Sequence, residues 1–350
     1  MKKKKSTIKD VAKKAGVSIS TVSLVANNRP YVSVEVRDRV HAVIQELNFH
    51  PHRNARGLAS KTSGNIGFIL TENHFSQAEP FYTKIFLGTE FEARKHRYYV
   101  LLTTVAPTRT EDEEVPRFLL EHNVDGVIIA GKIHASWLDE IQSRNLPIVM
   151  IDFENPRYDL SSVMIDNSIG IQKAMEFLTQ SGHTQIAFVG GDIKHPSISA
   201  RYAAYGSFLV SRGLPLKDTL VSIDQEDTAA ENGFLAAKTI MTLSPSKPTA
   251  ILAANDAMAM GVMRYLQSAG YNVPDDVSVV GFDNIEASEQ TSPPLTTLHV
   301  PKEEMGAIAV NRLVELMQST DKLTVRSSVG VQLIVRDSTK ILLQEVSIPG

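Results

Sequence analysis

The sequence contains no cysteine. That single absence removes disulfides, thiolate zinc sites, iron–sulfur clusters and cysteine nucleophiles, and it fits a reducing compartment. No apolar run reaches the roughly 18 residues that a membrane-spanning helix needs, so an integral membrane protein is excluded. Also missing are a GxGxxG dinucleotide fingerprint, a Walker motif, an HExxH pair and a GxSxG nucleophile elbow. Gly190-Gly191 follows an apolar run but lacks the dinucleotide spacing, and His183 and His195 read as loop residues. An enzyme, a cofactor site and a metal site are therefore not expected. What remains is a chain of 350 residues, too long for one ordinary domain and long enough for a large buried core.

Charge is unevenly spread. Residues 1–61 hold thirteen Lys and Arg against four Asp and Glu, a net of +9, while residues 62–350 hold 23 against 35, a net of −12. A basic head on an acidic body points to a polyanionic partner for the head, because Lys and Arg that neutralise phosphates release counterions. For Lys2 to Lys5 alone, a solubilising tail is the plainer reading. A cleavable secretory signal is the rival account of the head and would make the chain an exported sugar-binding transport protein. Against it stand Asp10 in the charged stretch and Ser18, Ser20, Thr21 and Ser23 in the apolar one.

The head reads as three short helices around one small core. Thr7 caps a first helix with Ile8, Val11, Ala12 and Ala15 at i, i+3, i+4 and i+7, and Gly16 stops it. Ser18 caps a second, Ile19 to Ala26, which ends at Asn27-Asn28-Arg29-Pro30. Ser33 opens a third, with Val36, Val40, Val43, Ile44 and Leu47 at helical spacing before Asn48 and Pro51. Two helices joined by a tight Gly turn make a helix-turn-helix, whose second helix enters the major groove. Its outer residues Ser20, Thr21, Ser23 and Asn27 are of a type and length suited to phosphate and base-edge contacts.

Ser6 to Ser18 (STIKDVAKKAGVS), Thr21-Val-Ser23 and Ala55-Arg-Gly-Leu58 together resemble the DNA-binding head and hinge of the LacI/GalR family of bacterial transcription regulators. The resemblance runs along nearly the whole chain. It implies a cytoplasmic regulator, most simply a repressor, that binds a palindromic double-stranded operator as a homodimer. It implies DNA contacts from Thr7, Ser18, Ser20, Thr21, Ser23, Leu24, Asn27 and Tyr31 in the head, and from His52, Arg53, Ala55 and Leu58 at the hinge. Residues 54–60 would form a hinge helix ordered on DNA, with Leu58 wedged into the minor groove at a pliable central step. Two positions depart from the family pattern. Leu24 stands where many relatives carry a hydrogen-bonding residue, and His52 replaces a common asparagine, so the half-site is left open.

From residue 64 the chain alternates apolar runs with helical patterns. Strands are predicted at Ile66–Thr71, Tyr99–Thr104, Gly126–Ala130, Ile148–Asp152, Ser162–Ile165, Ile186–Gly190, Ala250–Ala254, Val277–Phe282 and Val329–Val335, and a last long helix at Pro301–Gln318. That alternation reads as parallel α/β in two open sheets, with a barrel as the alternative. Thr110-Glu-Asp-Glu113 reads as a capping box that starts a helix.

In open α/β sheets a ligand sits off the carboxyl ends of the strands. That rule selects Glu72, Asp152, Asn255, Asp256 and Asp283, a donor and acceptor set suited to adjacent sugar hydroxyls, although Asp256 reads equally as a helix cap. Ser199-Ala-Arg201, residues 254–261, Val280 to Asn284 and Pro294 to Leu298 resemble the segments lining the effector cleft of the family, whose core is similar to periplasmic sugar-binding proteins. The resemblance implies Arg201 and Asp283 as main anchors, Asn255 and Asp152 assisting, and Phe81 and Tyr82 at the opposite lip. Thr228 stands where several relatives place an aromatic over the ligand.

The expected fold is thus an all-α helix-turn-helix head followed by a two-lobed, periplasmic-binding-protein-like α/β body. Residues 1–51 make the head, 52–63 the hinge and linker, 64–340 the effector and dimerisation domain, and 341–350 a tail too short for a heptad zipper. Chain crossings between the lobes are expected near residues 163, 291 and 323, assigning 64–163 with 291–322 to one lobe and 164–290 with 323–340 to the other.

Overall fold

The computed structural model describes residues 6–26, 31–47, 49, 62–74, 80–110, 113–320 and 323–342. Of the predicted DNA-contacting residues, Asn27, His52, Arg53, Ala55 and Leu58 lie outside them, as do the hinge helix at 54–60 and most of the tail. The chain divides into two units, Met1–Ser63 and Gly64–Gly350.

In the first unit, helix α1 (Ile8–Ala15) opens on a capping box: the Thr7 hydroxyl accepts the Asp10 N–H and the Asp10 carboxylate takes the Thr7 N–H at 2.8 Å. Gly16 closes α1 in the left-handed conformation at φ 64°, which a glycine adopts without a Cβ penalty. Ser18 then accepts the Thr21 N–H at 3.1 Å at the start of α2 (Ile19–Ala26), and α3 (Val34–Glu46) follows. Val11, Val22, Val25 and Val40 form the centre of one small core. Ser6 donates to the Leu47 carbonyl at 3.0 Å, tying the two ends of the unit together.

The second unit is built on two six-stranded sheets. One has the order β11-β5-β4-β3-β1-β2, from Arg326–Val329, Ser161–Ile165, Ile148–Ile151, Gly126–Ala130, Asn65–Thr71 and Tyr99–Val105. The other runs β12-β10-β9-β8-β6-β7, from Gln332–Ile334, Thr296–His299, Ser278–Asp283, Ala250–Ala253, Ile186–Val189 and Val221–Ser222. All pairings are parallel except β10 with β12. Parallel strands are covered on both faces, which is why β3, β4, β6 and β8 are apolar and buried at every position. The intervening helices are α4 (Phe81–Lys95), α5 (Arg117–Leu120), α6 (Ala135–Gln142), α7 (Asn167–Gln180), α8 (Pro196–Ser211), α9 (Ala230–Leu243), α10 (Asp256–Ser268) and α11 (Lys302–Gln318). Among the described residues, no helix is long and apolar enough to cross a membrane.

Several expectations need correction. The predicted strand Val329–Val335 is two strands in different sheets: β11 pairs with β5 and β12 with β10. The crossings lie later than expected. β5 stays in the first sheet to Ile165, β10 still belongs to the second at His299, and β11 returns to the first until Val329. Apolar periodicity marks that a strand exists but not which sheet it joins: β5 and β10 stay beside their sequence neighbours β4 and β9, and β11 returns to β5 far back in the sequence. The Glu113 N–H donates to the Thr110 carbonyl at 3.3 Å, and the next helix starts only at Arg117 behind Pro116. Both sheets are open, so the barrel alternative falls.

Candidate functional site

In the head, the predicted DNA-facing residues divide by role. Thr7 is spent on capping α1, while Ser18 and Ser20 are exposed at the start of α2 with hydroxyls 2.7 Å apart. Thr21, Ser23 and Leu24 are half-buried along α2, and Tyr31 stands 84% exposed after it. The buried face of α2 is Val22 and Val25, so the polar side is left outward.

In the body, the carboxyl ends of β4 and β9 face helices of the opposite lobe. Asp152 follows β4 at φ 56°, and Asp283 ends β9 at φ 110° with Asn284 next at φ 52°. Left-handed backbone at non-glycine residues costs free energy and collects where side chains must be aimed. Asp152 is the meeting point of the lobes. Its carboxylate accepts the Tyr82 hydroxyl of α4 at 3.1 Å and the Ser197 hydroxyl of α8 at 2.6 Å.

Arg201, one turn beyond Ser197 on the same face of α8, is 3% exposed. Its Nε donates to Asn167 Oδ1 at 2.7 Å, its Nη1 to the Ala254 carbonyl at 2.5 Å, and its guanidinium lies 3.6 Å from the Phe282 ring centroid. The nearest Asp283 oxygen, Oδ1, is 3.6 Å from Arg201 Nη2, an ion-pair distance without a hydrogen bond, and this buried oxygen has no hydrogen-bond partner among the described residues. Burial pushes the Asp283 carboxyl up to about 6, against the pull of the Arg201 and Lys302 charges.

Asn255 is the N-cap of α10, accepting the Met258 N–H at 2.8 Å and donating to the Thr228 carbonyl at 3.1 Å. This corrects the reading of Asp256 as the cap. Asp256 is fully buried and turns toward the loop after β9, accepting the Ile285 N–H at 2.9 Å and the Thr297 hydroxyl at 2.5 Å. Burial, then the nearby Asp283 charge, raises its carboxyl to about 8. Phe81 and Tyr82 sit edge to face at 5.0 Å in the first turn of α4. Burial and the neighbouring Asp152 hold the Tyr82 hydroxyl well above its ordinary range.

Asp152, Arg201, Asn255 and Asp283 are each less than a tenth exposed. Phe81 and Tyr82 are half-buried, and Glu72 is exposed in the short turn Glu72–His74. Ser197, Asn167 and Lys302 were not selected from the sequence. Only Ser197 had a usable signal, its i, i+4 spacing to Arg201. His195, read as a loop residue, caps α8 by accepting the Ser197 N–H at 3.2 Å, and burial lowers its pKa.

Residues 7–52 match the family described as bacterial regulatory proteins, lacI family, and residues 175–339 match the periplasmic binding protein-like domain. The HTH-type transcriptional repressor PurR of Vibrio campbellii is 32% identical over 96% of this chain and 99% of its own. Among solved structures, the lac repressor dimer bound to operator and the anti-inducer ONPF is 29% identical, covers 96% of this chain and 100% of its own, and superposes with a TM-score of 0.79. The transcriptional regulator CelR in complex with cellobiose is 29% identical over 95% of this chain and 99% of its own, with a TM-score of 0.73.

Proposed function

Because the chain belongs to the lacI family of bacterial regulatory proteins, we propose that it is a cytoplasmic repressor that binds a palindromic operator as a homodimer and is switched by an uncharged sugar or sugar derivative held between its lobes. One observation carries the ligand reading: a buried Asp283 oxygen without a donor, set beside Arg201 and facing the lobe that holds Asp152. A hydroxyl group supplies the missing hydrogen. An anionic group does not, and Arg201 already spends its Nε on Asn167 and its Nη1 on the Ala254 carbonyl, while Lys302 holds backbone carbonyls. A carboxylate or phosphate in that space meets two carboxylates, and like charges brought together in a dry site cost several kcal/mol.

Exposed Phe91 on α4 and exposed Tyr99 and Leu102 on the edge strand β2 support self-association at that side of the first sheet, since apolar side chains on a sheet edge invite a partner. The DNA reading rests on the head, whose second helix buries Val22 and Val25 and leaves Ser20 exposed beside the Ser18 hydroxyl. An exported transport protein has no use for such a unit.

The test begins with selection of sheared genomic DNA by purified full-length protein at moderate salt. A retained palindrome with a central CG step is expected, and loss of enrichment on adding the sugar identifies the effector. Calorimetry with hexoses, pentoses and disaccharides, each beside its uronate or phosphate, should find heat only on the neutral side. No DNA enrichment with or without sugars overturns the repressor; binding of a uronate whose neutral mate is silent overturns the ligand class.

A further inference from the structure

The turn that presents Asp283 is held from the opposite lobe. Lys302 is the first residue of α11, a helix that packs on β3, β4 and β5 of the first sheet, whereas Asp283 ends a strand of the second. Its side chain is 8% exposed, and its ammonium donates to the carbonyl of Asp283, to that of Val300 at 3.3 Å and to that of Asn284 at 3.5 Å. Lys84 of α4 reaches the same loop two residues beyond Asn284, 3.1 Å from Glu286 and 3.9 Å from Glu303 of α11. On the far side the turn is backed by Asp256, which takes the Ile285 N–H. The two left-handed residues Asp283 and Asn284 are thus held between the Lys302 ammonium, whose helix packs on the other lobe, and the Asp256 carboxyl group of their own lobe, which takes the next N–H.

What Lys302 feels does not stay local. A Cβ on Gly306 of α11 would lie 2.2 Å from the Ile85 carbonyl of α4, and one on Gly88 of α4 would lie 1.9 Å from the Glu303 carbonyl of α11. The two helices are in backbone contact, so a displacement of the first turn of α11 moves α4 with it, and α4 carries Phe81 and Tyr82 at the cleft. Packed helices at contact distance shift as bodies and do not absorb small displacements.

The geometry points to Lys302 as a positioning residue that couples the lobes: it converts engagement of Asp283 by a ligand into movement of the α11–α4 pair. This rests on the reading that the cleft takes the effector. Lys302 does not touch the ligand's hydroxyls in this scheme. It holds the carbonyl of the residue that does, so its loss should separate binding from response.

Two arms test this on the full-length protein, using Lys302→Met, which keeps length and drops charge, and Lys302→Arg, which keeps charge. Without ligand, hydrogen exchange should rise by about tenfold in Lys302→Met at the Ile285, Val300 and Met305 amides together, with β8 unchanged and Lys302→Arg close to wild type. Acceleration on only one side of the clasp, or equal acceleration in both variants, overturns it. With the neutral sugar and operator found as above, Lys302→Met should keep sugar affinity within about threefold while the sugar-induced change in operator affinity shrinks by about tenfold. Affinity and response falling in proportion would show that Lys302 merely shapes the pocket. If the wild type binds no sugar, the effector reading fails by itself, and the exchange arm still decides whether the clasp exists.

Discussion

Asp283 combines two costs in one residue. Its backbone sits at φ 110°, and its carboxyl is buried with one oxygen unsatisfied. The Arg201 and Lys302 charges offset part of the burial, but among the described residues that oxygen finds no hydrogen-bond donor, the physical signature of a group awaiting one. Because burial raises this carboxyl to about 6, the folded chain holds its proton more tightly than the unfolded chain does. The contribution of Asp283 to stability therefore declines as pH rises from the ordinary carboxylate range to about 6, and stays at that lower level above it. A ligand hydroxyl favours the ionised form, so the sign for binding is opposite. Sugar affinity should rise with pH through about 6, by at most about tenfold per pH unit, and then level off. Calorimetry from pH 5 to 8 reads this directly, and in Asp283→Asn the remaining affinity should be flat across the same range. The sequence offered Asp283, Asp152, Asn255 and Asp256 because each follows the carboxyl end of an apolar run, whereas Arg201 came only from the family resemblance. The sequence could not place Lys302 or give the partners of Asp256, because those partners include backbone groups 19 and 29 residues away that carry no residue-type signature.

At the scale of elements, the α4–α11 contact is the feature whose failure should be easiest to measure. Gly306→Ala places a methyl group where the Ile85 carbonyl already lies within 2.2 Å, and Thr89 Oγ1 is 2.8 Å away. The helices must part, and overpacking of this kind costs roughly 1–3 kcal/mol, visible as a lower urea midpoint at unchanged slope. A variant with wild-type stability would mean that the pair has slack and that coupling through it is weak. The helix itself was legible: Met305, Ile308, Ala309, Leu313 and Leu316 repeat at helical spacing, and α11 spans Lys302–Gln318 against a predicted Pro301–Gln318. The small residue on its inner face was not, because a glycine in a helical pattern reads as a local weakness until the partner backbone is seen. The short edge strand β7, two residues long, escaped notice for the opposite reason, being too brief for any period to register.

For the whole molecule, the division into Met1–Ser63 and Gly64–Gly350 predicts that the two activities separate. Residues 64–350 expressed alone should bind the neutral sugar with the affinity of the full chain and retain no DNA on a filter. Loss of sugar binding in that fragment would place part of the effector site in the head. Some of this organisation was set by the sequence by itself. The helix-turn-helix followed from a capping box, a left-handed glycine and apolar spacing within a few residues, all interactions that close locally. The charge imbalance and the buried parallel strands were equally visible, since fully covered strands are apolar without interruption. Tertiary structure alone decided which sheet each of β5, β10 and β11 joins, where the chain crosses between the lobes, and that Asp256 and Lys302 grip the Asp283 turn. Those outcomes depend on contacts between segments far apart along the chain, often to backbone groups that every residue possesses, and no local pattern of residue types records them.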